Sequence, residues 1–418
     1  LSGVNGPWPE SRARVQLWHQ DYGTTQVYAQ TDYFLLADLA PWFPLLPGEA
    51  AADAGARLGS LSGAVSGLTL DWRSSAEGSH DKPEFELNAE IEDMALVGNE
   101  RTPGFSSVSG TFTAHQNGGS IALEDSPFTL SYPRIFRAPM KFDAVSGELT
   151  WSQDQDGWEL SMPSFAWQLD GSAGKGRMDL KIPAQKSSSP QIDLDANFTA
   201  KDVRPFKKYI PVLWTDSLRK WLEQAIVAGR ADAGHLKISG ALTDFPFINK
   251  PGTFELDFDA TQGELAFAPD WPAVKKLDAH LAFRGNSLTI TGKSGSVNGN
   301  RVETVRAEIA DFHDALLAIH GEVQGDAGNF YNFLRNSPLA PRLAALLTRT
   351  QASGSAMVKV DLSIPLKEVS NTRVNGIAQL QGSQLKVNGL PETIVDIRGD
   401  LRFDNRSVAA QDLRGRMF

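Results

Sequence analysis

A few short clusters in this 418-residue chain carry residue types that could do chemistry, and each lacks a necessary neighbour. Gly292-Lys293-Ser294 has the tail of a phosphate-binding loop, but that loop needs glycine where Ser287 stands and a helix after it. The segment reads as strand and turn. Gly171, Gly174 and Gly176 have the wrong spacing for a dinucleotide loop and read as a polar linker. Asp154-Gln155-Asp156-Gly157 hints at a calcium loop, yet Pro163 occupies the place of the bidentate Glu, which leaves a hairpin turn.

The seven histidines, at 19, 80, 115, 235, 280, 313 and 320, show no metal-ligand spacing. No G-x-S-x-G elbow is present. A polysaccharide-acting enzyme would need paired carboxylates beside aromatics, for which Trp158 and Glu159 are the nearest residues. The other Asp and Glu alternate along strands, a pattern of solubility rather than acid–base pairing. An enzyme is not expected, nor any cofactor or metal.

The elements that hold these residues are mostly strands. Phe85, Leu87, Ala89 and Ile91 alternate with Glu86, Asn88 and Glu90. Phe254, Leu256 and Phe258 alternate with Glu255 and Asp257. Leu277, Ala279, Leu281 and Phe283 alternate with Asp278, His280 and Arg284. The pattern continues at Leu288 and Ile290, at Val358, Val360 and Leu362, and at Val395 and Ile397. A period of two gives each strand one apolar and one wet face, as in antiparallel sheet. Separate strands are expected at 110–115, 120–123 and 128–132, and a hairpin joins 147–151 to 158–162. Another hairpin is expected at 11–31, turning on Asp21-Tyr22-Gly23.

Helix is scarce. Leu218, Trp221, Leu222, Ala225 and Ile226 follow the i, i+3, i+4 spacing of a short amphipathic helix, capped by Thr215 or Ser217 and ended by Gly229. Trp214 and Trp221 are expected to pack it on the sheet rim. A strand follows with Leu236 and Ile238, continuing to Leu242. This handover recurs. Asp202-Val203-Arg204-Pro205-Phe206 resembles Asp38-Leu39-Ala40-Pro41-Trp42 upstream and Asp326-Ala327-Gly328-Asn329-Phe330 downstream, the latter with a helical 339–347 after it. A strand begins about fifty residues beyond each, so the repeat is of whole modules. The expected division is the end of a preceding repeat at 1–37, then repeats at 38–201, 202–325 and 326–418, the last truncated. The chain starts in mid-pattern and reads as a piece of something longer.

Composition bounds the partners. The net charge of −10 argues against nucleic acid and against docking on an anionic bilayer. There is no cysteine, hence no disulfide or thiolate site. No run of apolar residues is long enough to span a bilayer. One short helix per module cannot cover a whole apolar sheet face. Either two sheets close as a sandwich, or one sheet curls into a groove that needs something apolar inside it.

The run Tyr209-Ile210-Pro211, Trp221-Leu222, Ala228-Gly229 and Leu236-Lys237-Ile238-Ser239-Gly240 resembles the YhdP branch of the large AsmA-like proteins of Gram-negative envelopes. So do the strand start Phe254–Phe258 and Gly263-Glu264-Leu265-Ala266-Phe267. The resemblance covers the whole chain, as a middle portion of a longer protein. It implies an elongated, twisted antiparallel β-groove, relatives of the TamB and bridge-like lipid-transfer type, and a periplasmic location with an inner-membrane anchor outside this chain. It further implies phospholipid acyl chains as the cargo, moved between inner and outer membrane, by a protein expected to be monomeric. The apolar strand residues named above, from Phe85 to Ile397, would line the groove. A closed β-sandwich scaffold or adhesin of the envelope is the alternative that the same strand pattern allows.

Overall fold

The computed structural model describes residues 2, 3, 6, 7, 9–19, 24–39, 60–74, 83–99, 103–185, 187–341 and 343–417. The expected turn at 21–23 and most of the proline-broken segment after Leu39 lie outside them. The chain forms two units: Leu1–Asn197 with Ile238–Phe245, and Phe198–Lys237 with Pro246–Phe418.

The first unit opens with a two-residue pair, β1 (Ser2–Gly3) and β2 (Gly6–Pro7). An antiparallel meander follows: β3 (Ala13–His19), β4 (Thr25–Leu35), β5 (Leu61–Arg73), β6 (Glu84–Leu96), β7 (Gly104–His115), β8 (Gly118–Ser131), β9 (Met140–Gln153), β10 (Gly157–Leu169), β11 (Ser172–Pro183) and β12 (Gln191–Ala200), whose residues from Phe198 on fall in the second unit. A single helical turn, α1 (Leu36–Leu39), follows β4. Phe34, Val65, Ala89, Ile91 and Val108 form its buried core, with Leu87 and Phe112 packed on it.

The second unit takes in α2 (Asp216–Ala225) and β13 (Ile226–Ala241), which crosses into the first unit after Lys237. Then come β14 (Gly252–Leu265), β15 (Val274–Arg284), β16 (Ser287–Val297), β17 (Asn300–Ile309) and β18 (Leu316–Asp326). Helices α3 (Ala327–Arg335) and α4 (Ala344–Arg349) lead to β19 (Thr350–Ser353), β20 (Ser355–Pro365), β21 (Arg373–Val387), β22 (Ile394–Asp404) and β23 (Val408–Arg416). From β14 to β18 each strand pairs with the next, and β18 pairs with β20. β21 is long enough to take β20 along one half and β19 along the other. Among the described residues the sheet is not closed into a barrel: β3 is registered on β4 and β23 on β22. The protein is mostly β, with few short helices.

Several local expectations are corrected. The strands expected at 120–123 and 128–132 are one strand, β8, because a bulge at Asp125 (φ 49°) interrupts the alternation between Leu123 and Ser126. Gly171 is no linker residue: Asp170 and Gly171, both with positive φ, turn β10 into β11, and Gly174 and Gly176 are in β11 itself. Gly292-Lys293-Ser294 lies within β16 rather than at a turn. Helix α2 ends at Ala225, and Gly229 sits inside β13. Leu242 leaves the strand in a 3-10 turn. The helix expected over 339–347 is confined to 344–349, since Pro338 and Pro341 precede it.

Candidate functional site: an apolar sheet face

Residues directly opposite each other in an antiparallel ladder share a face, so the registers convert one-dimensional alternation into rows across the sheet. In the second unit one row runs Leu256, Phe283, Leu288, Ile309, Leu317, Ile364. The next runs Phe258, Leu281, Ile290, Ala307, Ile319, Leu362, Val374. A third holds Ala260, Ala279, Gly292, Val305, Gly321, Val360, Gly376 and Phe403. A fourth holds Val302, Val323, Val358, Ala378 and Leu401. No charged residue enters any of the four.

The opposite face is mostly polar, with Ala282, Ala318 and Ile377 among its charged and hydroxyl residues. One of its rows is Asp259, His280, Thr291, Arg306, His320, Asp361, Asn375 and Asp404. Arg284 reaches Asp257 at 2.6 Å and His280 reaches Asp259 at 3.1 Å. Lys293 joins Asp259 at 3.2 Å, and Lys359 joins Glu322 at 2.7 Å. The hydrogen bond from His280, then that from Lys293, holds the Asp259 carboxyl below the usual carboxylate range. A depression of about 830 Å³ lies on this side, lined by Arg306, His320, Glu322, Lys359, Asp361 and Arg402. Val305, Val360, Ile377 and Phe403 also line it, so its walls are both charged and apolar.

Burial varies along the apolar rows. Leu288, Ile309, Leu317 and Ile364 are 1% exposed or less. Phe258, Leu281, Val305, Val358 and Val360 are only half-buried. The first two rows are therefore largely sealed, except at Leu256, Phe258 and Leu281, while the third and fourth are more accessible. Trp214 seals the margin of the first row: it stacks on Phe283 with ring centroids 6.0 Å apart and meets Phe312 at a tilt of 60°, 5.2 Å away.

The first unit repeats the design. Val15, Ala29, Leu70, Leu87, Ala114, Gly119, Trp151, Leu160 and Leu180 make one row. Phe34, Val65, Ile91 and Gly110 make another, and Phe85 faces Trp72. A ring lies over a neighbouring glycine at several places. A Cβ on Gly174 would sit 2.4 Å from the Trp167 ring, and one on Gly119 2.5 Å from the Trp151 ring.

Of the residues singled out in the sequence, Leu256, Phe258, Leu277, Ala279, Leu281, Phe283, Leu288, Ile290, Val358, Val360 and Leu362 lie on one continuous face of the second unit. Phe254, 7% exposed, lies two residues before Leu256 on the same strand face. Phe85, Leu87 and Ile91 share the face of the first unit. Leu236 and Ile238 are half-buried on one face of β13. Val395 is placed otherwise: it pairs with Arg416, while Ile394, opposite Leu385, takes the place beside Ile397. Left-handed backbone at Asp396 (φ 53°) shifts the parity of β22 there. Neither the packing role of the cross-strand glycines nor the ring of Phe312 is legible in the sequence. The glycines carry no side-chain signal, and Phe312 lies in a loop where periodicity has nothing to report.

Among the described residues no helix is long and apolar enough to cross a membrane, and no three metal-ligating side chains gather. An uncharged face several strands wide can hold hydrocarbon but supplies no nucleophile, acid or base. The curated Intermembrane phospholipid transporter YhdP of Escherichia coli (strain K12) is 26% identical over 358 residues, 85% of this chain. The chain spans 28% of that relative's length. No solved structure matches. The family described as YhdP protein matches residues 2–418, and the chain belongs to it.

Proposed function

We propose that this chain carries phospholipid acyl chains along its apolar sheet face, as one stretch of a longer periplasmic bridge between inner and outer membrane. The single observation that supports this most is the set of uncharged cross-strand rows, half-buried at Phe258, Leu281, Val305, Val358 and Val360. A monomeric soluble domain rarely leaves such a continuous apolar surface accessible without a ligand for it.

Moving one acyl chain of sixteen carbons through water costs about 13 kcal/mol, at ~0.8 kcal/mol per CH₂. A continuous apolar wall offsets most of that cost at every step. The lining needs no particular side chain, so the mixed Phe, Leu, Ile, Val and Ala set is suited to passage rather than to tight capture of one lipid. The E. coli relative, an intermembrane phospholipid transporter, supports the cargo and the two membranes. The inner-membrane anchor, the monomeric state and the division into repeats at 38–201, 202–325 and 326–418 are parts of the same proposal.

The test is mass spectrometry of lipids that co-purify with the chain from a Gram-negative host. Phospholipid in at least stoichiometric amount is expected. A lipid-free chain that also takes none from vesicles would overturn the proposal and favour an envelope scaffold.

A further inference from the structure

Helix α2 does not simply edge the sheet of the second unit; the segment Trp214–Ala225 reaches from one margin of the apolar face to the other. At its start, Trp214 is stacked on Phe283 and packed at a tilt against Phe312, where β15 and β17 end, and Thr215 Oγ1 donates to the Phe312 carbonyl at 3.3 Å. At its end, Trp221 Nε1 donates to the Phe267 carbonyl at 2.8 Å, and the Ala266 N–H donates to the Ala225 carbonyl at 2.9 Å. Residues 266 and 267 belong to the connection that enters β15 from the far side.

Between these anchors the helix buries Leu218 and Ala225 completely. On the sheet, Ala279 and Leu288 are each 1% exposed. Asp216, exposed, pairs with the mostly buried Arg219. The excursion is tied at its base, where the Val203 N–H donates to the Gly229 carbonyl at 3.1 Å. The stretch from Arg204 to Ala225 is thus one excursion, closed at the neck and anchored at Phe283 near one end of β15 and at the connection before its other end.

We propose that this segment is a gate: it must lift from the face for an acyl chain to pass β14–β16. The idea rests on the function proposed above and adds its control. Two features favour lifting. A helix of ten residues has little stability of its own, so it stays only while its contacts last. Trp214 Nε1 and Arg219 Nε are buried with no hydrogen-bond partner among the described residues, which weakens the docked state. The ester and phosphate oxygens of a phospholipid are acceptors, and a lipid arriving at this margin would give Trp214 Nε1 the partner it lacks when docked.

The absence of cysteine makes the test clean. Thr215→Cys and His313→Cys place two thiols beside the Thr215–Phe312 contact without opening the core. They are bridged with a short, reducible bis(methanethiosulfonate). The 418-residue chain is then mixed with phosphatidylcholine vesicles holding a fluorescent phosphatidylcholine, and its lipid exchange rate is read before and after reduction. The bridged form should exchange at least ten-fold more slowly, with full recovery on reduction, and Trp214→Ala should exchange faster than the parent. Equal rates for the bridged and reduced forms would overturn the gate. Failure of the parent chain to take up any lipid would overturn the conduit instead.

Discussion

The backbone N–H of Val203 donates to the carbonyl of Gly229, and Ala327 makes the same contact with Gly354 at 2.6 Å. Both glycines have positive φ, at 151° and 87°. In each case the preceding aspartate accepts from the backbone N–H two residues on, Asp202 from Arg204 at 2.9 Å and Asp326 from Gly328 at 2.8 Å. A carboxylate that closes the turn and a glycine that closes the neck recur together, each time around a short helical excursion. The repeated Asp in the sequence thus has a mechanical meaning: it fixes where the chain leaves the sheet.

Access to the face is tested first with a hydrophobic reporter dye. With Phe258, Leu281 and Val360 half-buried, the folded chain should light the dye in several copies per molecule. A dark dye at native circular dichroism, brightening only on unfolding, is the signature of a closed sandwich.

Leu281 lies between Phe258 and Ile290 in the second apolar row. Leu281→Glu should keep its carboxylate partly hydrated, cost about 1–3 kcal/mol by denaturant titration, and abolish lipid uptake. His280→Gln, one residue away on the polar face, should leave uptake unchanged. Normal uptake by Leu281→Glu would remove this row from the lipid path.

Leu288 is sealed at 1% exposure. Leu288→Ala should cost about 2–5 kcal/mol, because the margin packed by Trp214 and Phe312 cannot collapse onto the void. A loss near 1 kcal/mol would mean the margin is open.

Asp259 tests the polar face through pH. Its carboxyl is held below the ordinary value by His280 and Lys293. Such a group contributes stability above the unfolded-state pKa of about 3.9 and loses it as pH falls through the lowered folded value. Asp259→Asn should therefore flatten the acid limb of a melting-temperature profile below about pH 4 and leave the shape near neutrality unchanged. A parallel displacement at all pH values would assign Asp259 a role other than its charge.

Gly174 tests the ring-over-glycine packing. A Cβ there would meet Trp167 at 2.4 Å and the Asn197 carbonyl at 2.7 Å. Gly174→Ala should displace the indole, shift tryptophan emission and cost about 1–3 kcal/mol. Unaltered emission would show that the ring has room to move.

How much of this was legible follows from what sets each feature. Period-two alternation is a local steric property, so it located β6, β14, β15 and β20 and the apolar identity of the face before any pairing was known. The repeated Asp and the helix at 218–225 were legible for the same reason, since capping and amphipathic spacing act within a few residues. Bulges were not. The extra residues at Asp125 and Asp396 shift parity, which merged two expected strands into β8 and turned Val395 towards Arg416. Nor could composition reveal that Gly174 and Gly119 are floors for tryptophan rings, because glycine leaves no pattern. The tertiary structure alone decided where α2 goes. Its apolar stripe demanded some surface, but only pairing of β14–β17 puts Phe283 and Phe312 together as the seat for Trp214. Local periodicity fixes which atoms must leave water; long-range register decides which of them meet.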